Sequence, residues 1–169
     1  MDWIRFCDAN NMEFSNFYVH KIPLVIDGKE YRTVEHYFQS QKYAKDIGKN
    51  LEFMQLIIDQ STPYKAKILA SIPRKKVIWS WQKTLMDIRE KYKNDIFFDK
   101  EWDNKRDDVM LKGLIAKFTQ DEHCKEILLS TGNAILSEDS TDKYWGSGGN
   151  PNVVGKLGEL LMIVRNKIT

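Results

Sequence analysis

Several large classes of function need residues that this chain has little of. Only two of its 169 residues are cysteine, Cys7 and Cys124, and neither has a partner at CxxC spacing. That argues against a disulfide framework and fits a reduced intracellular protein with free thiols. The three histidines, His20, His36 and His123, never share a helix at ligand spacing, and no HExxH occurs. Neither structural nor catalytic zinc is expected, and no other metal or cofactor is. Ser-His-Asp chemistry has no GxSxG elbow to start from. No apolar run approaches the ~20 residues that cross a bilayer, and the opening Met-Asp-Trp-Ile-Arg-Phe has no signal-peptide core. A net charge of +2 is too small to argue for nucleic acid or an anionic membrane surface. The expectation is a cytoplasmic protein with no membrane partner. Its length suits a single domain over 1–169.

Patterning points to a mainly helical α+β domain with a small antiparallel sheet. Residues 22–32 read as a hairpin: an apolar run to Ile26, the two-residue turn Asp27-Gly28, and a return over Lys29 to Arg32. Thr33 reads as the N-cap of a helix running to about Asp46. Further helices are expected over about 50–60, 64–71, 83–93, 108–120 and 123–130, the last closed by Gly132. A final helix spans Lys156 to Lys167, with Leu157, Leu160, Leu161 and Val164 on its buried stripe. Residues 74–101 differ in character, holding Arg74-Lys-Lys76, Trp79 and Trp81 before a charged helix. Such a segment suits a stacking platform for bases, although tryptophans more often pack the underside of an amphipathic helix.

Two segments about a hundred residues apart carry the chemistry. On the helix opening at Thr33, residues Glu35, Gln39, Lys42 and Asp46 fall on one face, bordered by Tyr37, Phe38 and Tyr43. A solvated polar face is the commoner outcome for such a row, whereas a ring-bordered one suits a pocket wall. Asp142-Lys-Tyr-Trp-Gly-Ser-Gly-Gly149 is an acidic, glycine-rich loop preceding the last helix, where an anion can find backbone amides. It is not a Walker A loop, because Leu157 follows Lys156 where Ser or Thr is needed. Lys117 stands on the apolar stripe of Met110 and Leu114, so it must snorkel, pair with an acid, or sit desolvated with a lowered pKa. Carboxylates plus lysine are what remain for catalysis.

These blocks resemble the NADAR family, also called YbiA-like proteins. The likeness runs through Phe14-Ser-Asn-Phe-Tyr18, Ile26-Asp-Gly28, Thr33-Val-Glu-His-Tyr-Phe-Gln39 with Lys42, and Trp102 with Arg106 and Val109-Met110. It continues through Ala116-Lys-Phe118, Gln120, Leu128-Leu-Ser-Thr-Gly132, Asp142, Trp145-Gly146-Ser-Gly148 and Leu157-Gly158, as far as Arg165. The resemblance implies a YbiA-like fold and N-glycosidase activity on a ribosyl C1–N bond. Its substrates would be phosphorylated riboflavin-pathway intermediates or ADP-ribosylated guanine in nucleic acid. By position it implies that Glu35, Lys42 and Asp142 are catalytic. Asn16, Phe17, His36, Gln39, Trp102, Arg106, Lys117, Trp145, Gly146 and Gly148 would hold the ribose phosphate or ADP-ribose. Two departures stand out: Gly155 replaces the usual asparagine before Leu157-Gly158, and 74–101 is a longer connection that bears on substrate choice.

The residue types suggest how the bond breaks. Cleavage of an N-riboside builds positive charge at C1, which a carboxylate stabilises, and the departing base needs a proton. A desolvated lysine can instead attack the opened sugar and form a Schiff base that water resolves. The rival reading is a non-catalytic module that binds ADP-ribose or a nucleotide. A nucleic-acid binder built on 74–101 has little support from net charge.

Overall fold

The computed structural model describes residues 2–8, 10, 12–71 and 80–169. Arg74-Lys-Lys76 and Trp79, which the sequence singles out, lie outside those residues. The strands are β1 (Trp3–Phe6), β2 (Leu24–Ile26), β3 (Lys29–Tyr31) and β4 (Ile135–Glu138). The helices are α1 (Val34–Ser40), α2 (Asn50–Ile58), α3 (Pro63–Ala70), α4 (Ser80–Tyr92), α5 (Trp102–Gln120), α6 (Glu122–Ser130) and α7 (Gly155–Ile168). None of them is long and apolar enough to cross a membrane. The chain divides into two compact units, Met1–Val34 with Met110–Thr169, and Glu35–Val109.

The first unit holds both sheets. β2 and β3 pair antiparallel, with Ile26 opposite Lys29. Asp27 at φ 52° and Gly28 at φ 76° make the left-handed two-residue turn that matches strand twist. The second sheet was not foreseen: β1 and β4 run parallel, with Trp3 opposite Ile135 and Phe6 opposite Glu138. α7 packs on β4 at very short range, for a Cβ at Gly158 would stand 2.1 Å from the Leu136 carbonyl oxygen. That approach explains the glycine in Leu157-Gly158. α6 is capped by Asp121, whose carboxylate accepts from the Cys124 amide at 3.1 Å.

The second unit is built on α2, α3 and α4 around Tyr43, Phe53, Ile57, Leu69, Leu85 and Tyr92. Thr62 caps α3 by accepting from the Lys65 amide at 3.2 Å, with Pro63 at the first helical position. Trp81 joins the same core and meets Tyr64 edge-on at 5.6 Å between ring centroids. It packs the underside of α4 and is partly buried.

Two helix boundaries differ from the sequence reading. α1 stops at Ser40 and gives way to a 3₁₀ turn over Gln41–Tyr43, so Asp46 lies off the helix. The Ser40 hydroxyl donates to the Tyr37 carbonyl at 2.7 Å, a local bond that competes with helix continuation. α5 begins at Trp102, six residues before the expected 108, since the charged run after it hides its amphipathic start. Asp99 organises that start: its carbonyl receives the Trp102 amide at 3.0 Å and its carboxylate the Glu101 amide at 3.0 Å.

Candidate active site

Within residues 35–109, α1 carries Glu35 and Gln39, and the 3₁₀ turn after it carries Lys42. Glu35 is buried and accepts a hydrogen bond from Gln39 Nε2 at 2.7 Å. Gln39 Oε1 is buried and has no partner within the protein. Lys42 is half-buried, with Nζ 5.9 Å from the Phe38 ring centroid and 5.8 Å from that of Trp102. Those two rings pack on each other at 5.0 Å. Burial lowers the Lys42 pKa from 10.5 to about 8; nearby Glu35 opposes the shift, while the charges of Lys67 and Arg89 add to it. The result is a pre-positioned amine beside a carboxylate, of which about one in ten is neutral at pH 7.

A second pair of ties fixes this amine's backbone. The Lys42 carbonyl accepts from the Asp99 amide at 3.1 Å. Asp99 is itself gripped by Lys45 at 2.7 Å and Lys105 at 2.9 Å. Burial alone would raise its pKa, yet the bonds from Lys45, Lys105 and the Glu101 amide hold it at about 2. Of the other candidates in this unit, Arg106 lies 3.5 Å from Asp103 on α5. His36 is 1% exposed and its Nε2 lies 2.9 Å from the Gln60 carbonyl. That bond ties α1 to the segment that follows α2. Lys67 and Arg89 carry no sequence signal of their own. Only the fold brings α3 and α4 into electrostatic range of Lys42.

In the other unit, Lys117 neither snorkels nor pairs with an acid. It is fully buried and donates to the Ser15 carbonyl at 2.7 Å, with Nζ 5.3 Å from the Tyr18 ring centroid. Burial lowers its pKa to about 8, against the raising influence of Cys124, Asp121 and Glu13. Next along, Asn16 Nδ2 donates to Met110 Sδ at 3.4 Å, and Asn16 Oδ1 is buried without a protein partner. The Phe17 amide donates to Ser15 Oγ at 3.0 Å. Among the described residues, His20, Asp121 and Cys124 form the one group whose atoms suit a metal ion. His20 Nδ1 lies 2.7 Å from Asp121, Asp121 also caps α6, and burial pushes the Cys124 thiol up to about 12. His20 Nε2 is buried without a partner within the protein, and the Lys117 charge acts on Cys124.

The glycine-rich loop closes on itself. Asp142 is exposed, and its Oδ1 accepts from the Tyr144 and Trp145 amides, each at 2.8 Å. The Gly148 amide donates to the Asp142 carbonyl at 3.0 Å. Trp145 packs edge-on to Tyr144, and a Cβ on Gly146 would meet Ser140 Oγ at 2.0 Å. The first amides of α7 are taken, Lys156 by the Tyr144 carbonyl at 2.9 Å and Leu157 by that of Trp145 at 3.0 Å. Those two amides are therefore engaged in folding the loop. Gly155 sits at φ 73°, with a built Cβ 2.5 Å from the Gly146 carbonyl oxygen. The left-handed φ and the close backbone approach together require glycine at this position.

Comparison with known proteins accounts for this pattern. The NADAR domain model matches residues 5–169. Over 157 residues the chain is 34% identical to the N-glycosidase YbiA of Shigella boydii, covering 92% of this chain and 81% of that one. It is 31% identical over 160 residues to the chloroplastic riboflavin biosynthesis protein PYRR of Zea mays, 92% of this chain but 23% of that protein. The NMR structure of Escherichia coli YbiA matches it with a TM-score of 0.71 at 31% identity, over 99% of this chain and 84% of that one. The chain belongs to the NADAR family and is an N-glycosidase.

Proposed function

We propose that the substrate is a phosphorylated ribosylamino-pyrimidine, that Lys42 is the amine that meets its C1, and that Glu35 carries the proton. The observation behind this is the Lys42 amine itself, its pKa lowered to about 8 by burial, near the packed rings of Phe38 and Trp102 and within electrostatic range of Glu35. An ordinary surface lysine is almost wholly protonated at neutral pH and cannot attack. The substrate class draws on the riboflavin biosynthesis protein among the relatives.

In this mechanism Lys42 Nζ bonds to C1 of the opened ribosylamine while the bond from C1 to the base nitrogen breaks. The lysine proton passes through Glu35 to the departing base, which leaves as a neutral amine. Water then adds to the Schiff base at C1, returning the free amine and a sugar phosphate. Gln39 holds Glu35 by its amide nitrogen, and its free Oε1 accepts from a ribose hydroxyl.

The test is to incubate the protein with a phosphorylated ribosylamino-pyrimidine and, separately, with ADP-ribosylguanine in DNA, then resolve the products by mass. Free pyrimidine plus ribose phosphate is expected, unaffected by chelator. Lys42→Met and Glu35→Gln should each lose turnover with helix content intact. Inactivity on the pyrimidine, with guanine released from the DNA, would move the substrate class, and inactivity on both would sink the proposal.

A further inference from the structure

A cavity of about 300 Å³ opens in residues 35–109, lined by Met86, Arg89 and Glu90 of α4, by Lys93, Ile96 and Phe98 beyond it, and by Tyr43. We infer that this cavity is the leaving-base subsite and that it takes a planar, carbonyl-bearing nitrogen heterocycle. The inference rests on Lys42 being the residue that meets C1.

Location is the first argument. Tyr43 follows Lys42 directly on the 3₁₀ turn, and Phe98 precedes Asp99, whose amide donates to the Lys42 carbonyl at 3.1 Å. Arg89 is close enough to Lys42 for its charge to help lower that amine's pKa. The cavity therefore borders the backbone of the 3₁₀ turn that carries Lys42.

Chemistry is the second. Arg89 Nη1 donates to the Leu69 carbonyl at 2.8 Å and Nη2 to the Tyr43 hydroxyl at 3.0 Å. Its guanidinium lies 5.9 Å from the Tyr43 ring centroid and 5.8 Å from that of Phe53, so the fork is held in place before any ligand arrives. Two of its five N–H groups are used in those bonds, which leaves donors for ring carbonyls. Met86, Ile96 and Phe98 supply apolar contact for ring faces. Lys93 is paired with Glu90, so the cavity carries the single excess charge of Arg89. One fixed guanidinium among apolar walls suits a keto-bearing ring. A doubly charged phosphate would leave those walls unused and find one cation. The volume lies at the low end for ligand sites and suits a ring system rather than a dinucleotide. Hydrogen bonds from Arg89 to the base carbonyls also withdraw electron density as the C1–N bond breaks, so they favour departure.

The experiment is an NMR titration of the protein with free bases that carry no sugar, one a diaminopyrimidinedione and the other guanine. Saturable binding is expected, with shifts at Ile96 and Phe98, and the tighter probe names the heterocycle. Arg89→Met and Phe98→Ala should each weaken it about tenfold, in line with the loss of one stacking or hydrogen-bonding partner. Phe98 is 43% exposed, so its variant decides the matter if Arg89→Met fails to fold. No binding of either base, or binding untouched by Phe98→Ala, overturns the inference and leaves N-riboside cleavage to be judged by its own assay. Bases that bind and respond to both variants, with no N-riboside cleaved, would uphold the cavity's ligand class and overturn the role of Lys42.

Discussion

Lys117 gives the sharpest physical prediction. Its ammonium is fully buried, and its pKa stands at about 8 in the fold against 10.5 for an ordinary lysine. The unfolded chain therefore binds more protons than the folded one between those values, so the lysine's contribution to stability rises with pH there. Well below pH 8 the buried charge costs about 3.5 kcal/mol, from a pKa gap of 2.5 at about 1.4 kcal/mol for each whole pH step. By pH 10 most of that cost has gone. Lys117→Met removes the titration but leaves the Ser15 carbonyl without its donor, at about 1–3 kcal/mol. Near pH 7 the two effects should roughly cancel. Between pH 7 and 10 the stability difference should swing by about 2 kcal/mol in favour of the wild type. Urea unfolding of both proteins at four pH values reads this directly, because groups common to both drop out of the difference. A difference that stays flat across the window refutes the buried-charge argument.

Further outcomes follow from the same geometry. The kcat of the wild type should rise with pH and level off above about 8, as the Lys42 amine loses its proton, which a pH–rate profile at saturating substrate checks. Asp142→Asn keeps the acceptor for Tyr144 and Trp145 and should retain wild-type stability, whereas Asp142→Ala loses both bonds and should cost about 1–2 kcal/mol by urea unfolding. The kcat of Asp142→Asn then reads its charge alone, and the family likeness predicts a loss of about a hundredfold. Gly158→Ala forces a methyl to 2.1 Å from the Leu136 carbonyl oxygen and should lower stability by about 1–3 kcal/mol, seen as a drop in Tm.

What the sequence made legible depended on whether the signal was local. Asp27-Gly28 announced the hairpin because two adjacent residues with positive φ are what that turn requires. Gly132 closed α6 for the same reason, at φ 53°. Lys117 stood out because a charge on an apolar stripe is anomalous at any distance, and its burial bore out the desolvated option. β1 and β4 stayed hidden, since four-residue strands far apart in sequence have no periodicity to betray a parallel pairing. The end of α1 was missed because Ser40 stops it through one side-chain bond, not through a breaker residue. At the candidate site, Glu35, Gln39 and Lys42 were legible as a face. The depression of the Lys42 pKa was not, since it depends on Phe38 and Trp102 lying beside the amine and on Arg89 arriving from α4.

The central claim is that Lys42 bonds to the sugar, and trapping tests it most directly. Borohydride added during turnover should reduce the Schiff base and leave a sugar phosphate on Lys42, found by peptide mass mapping and missing from Lys42→Met. An adduct on Lys117 instead, or no adduct with full activity in Lys42→Met, would contradict the account.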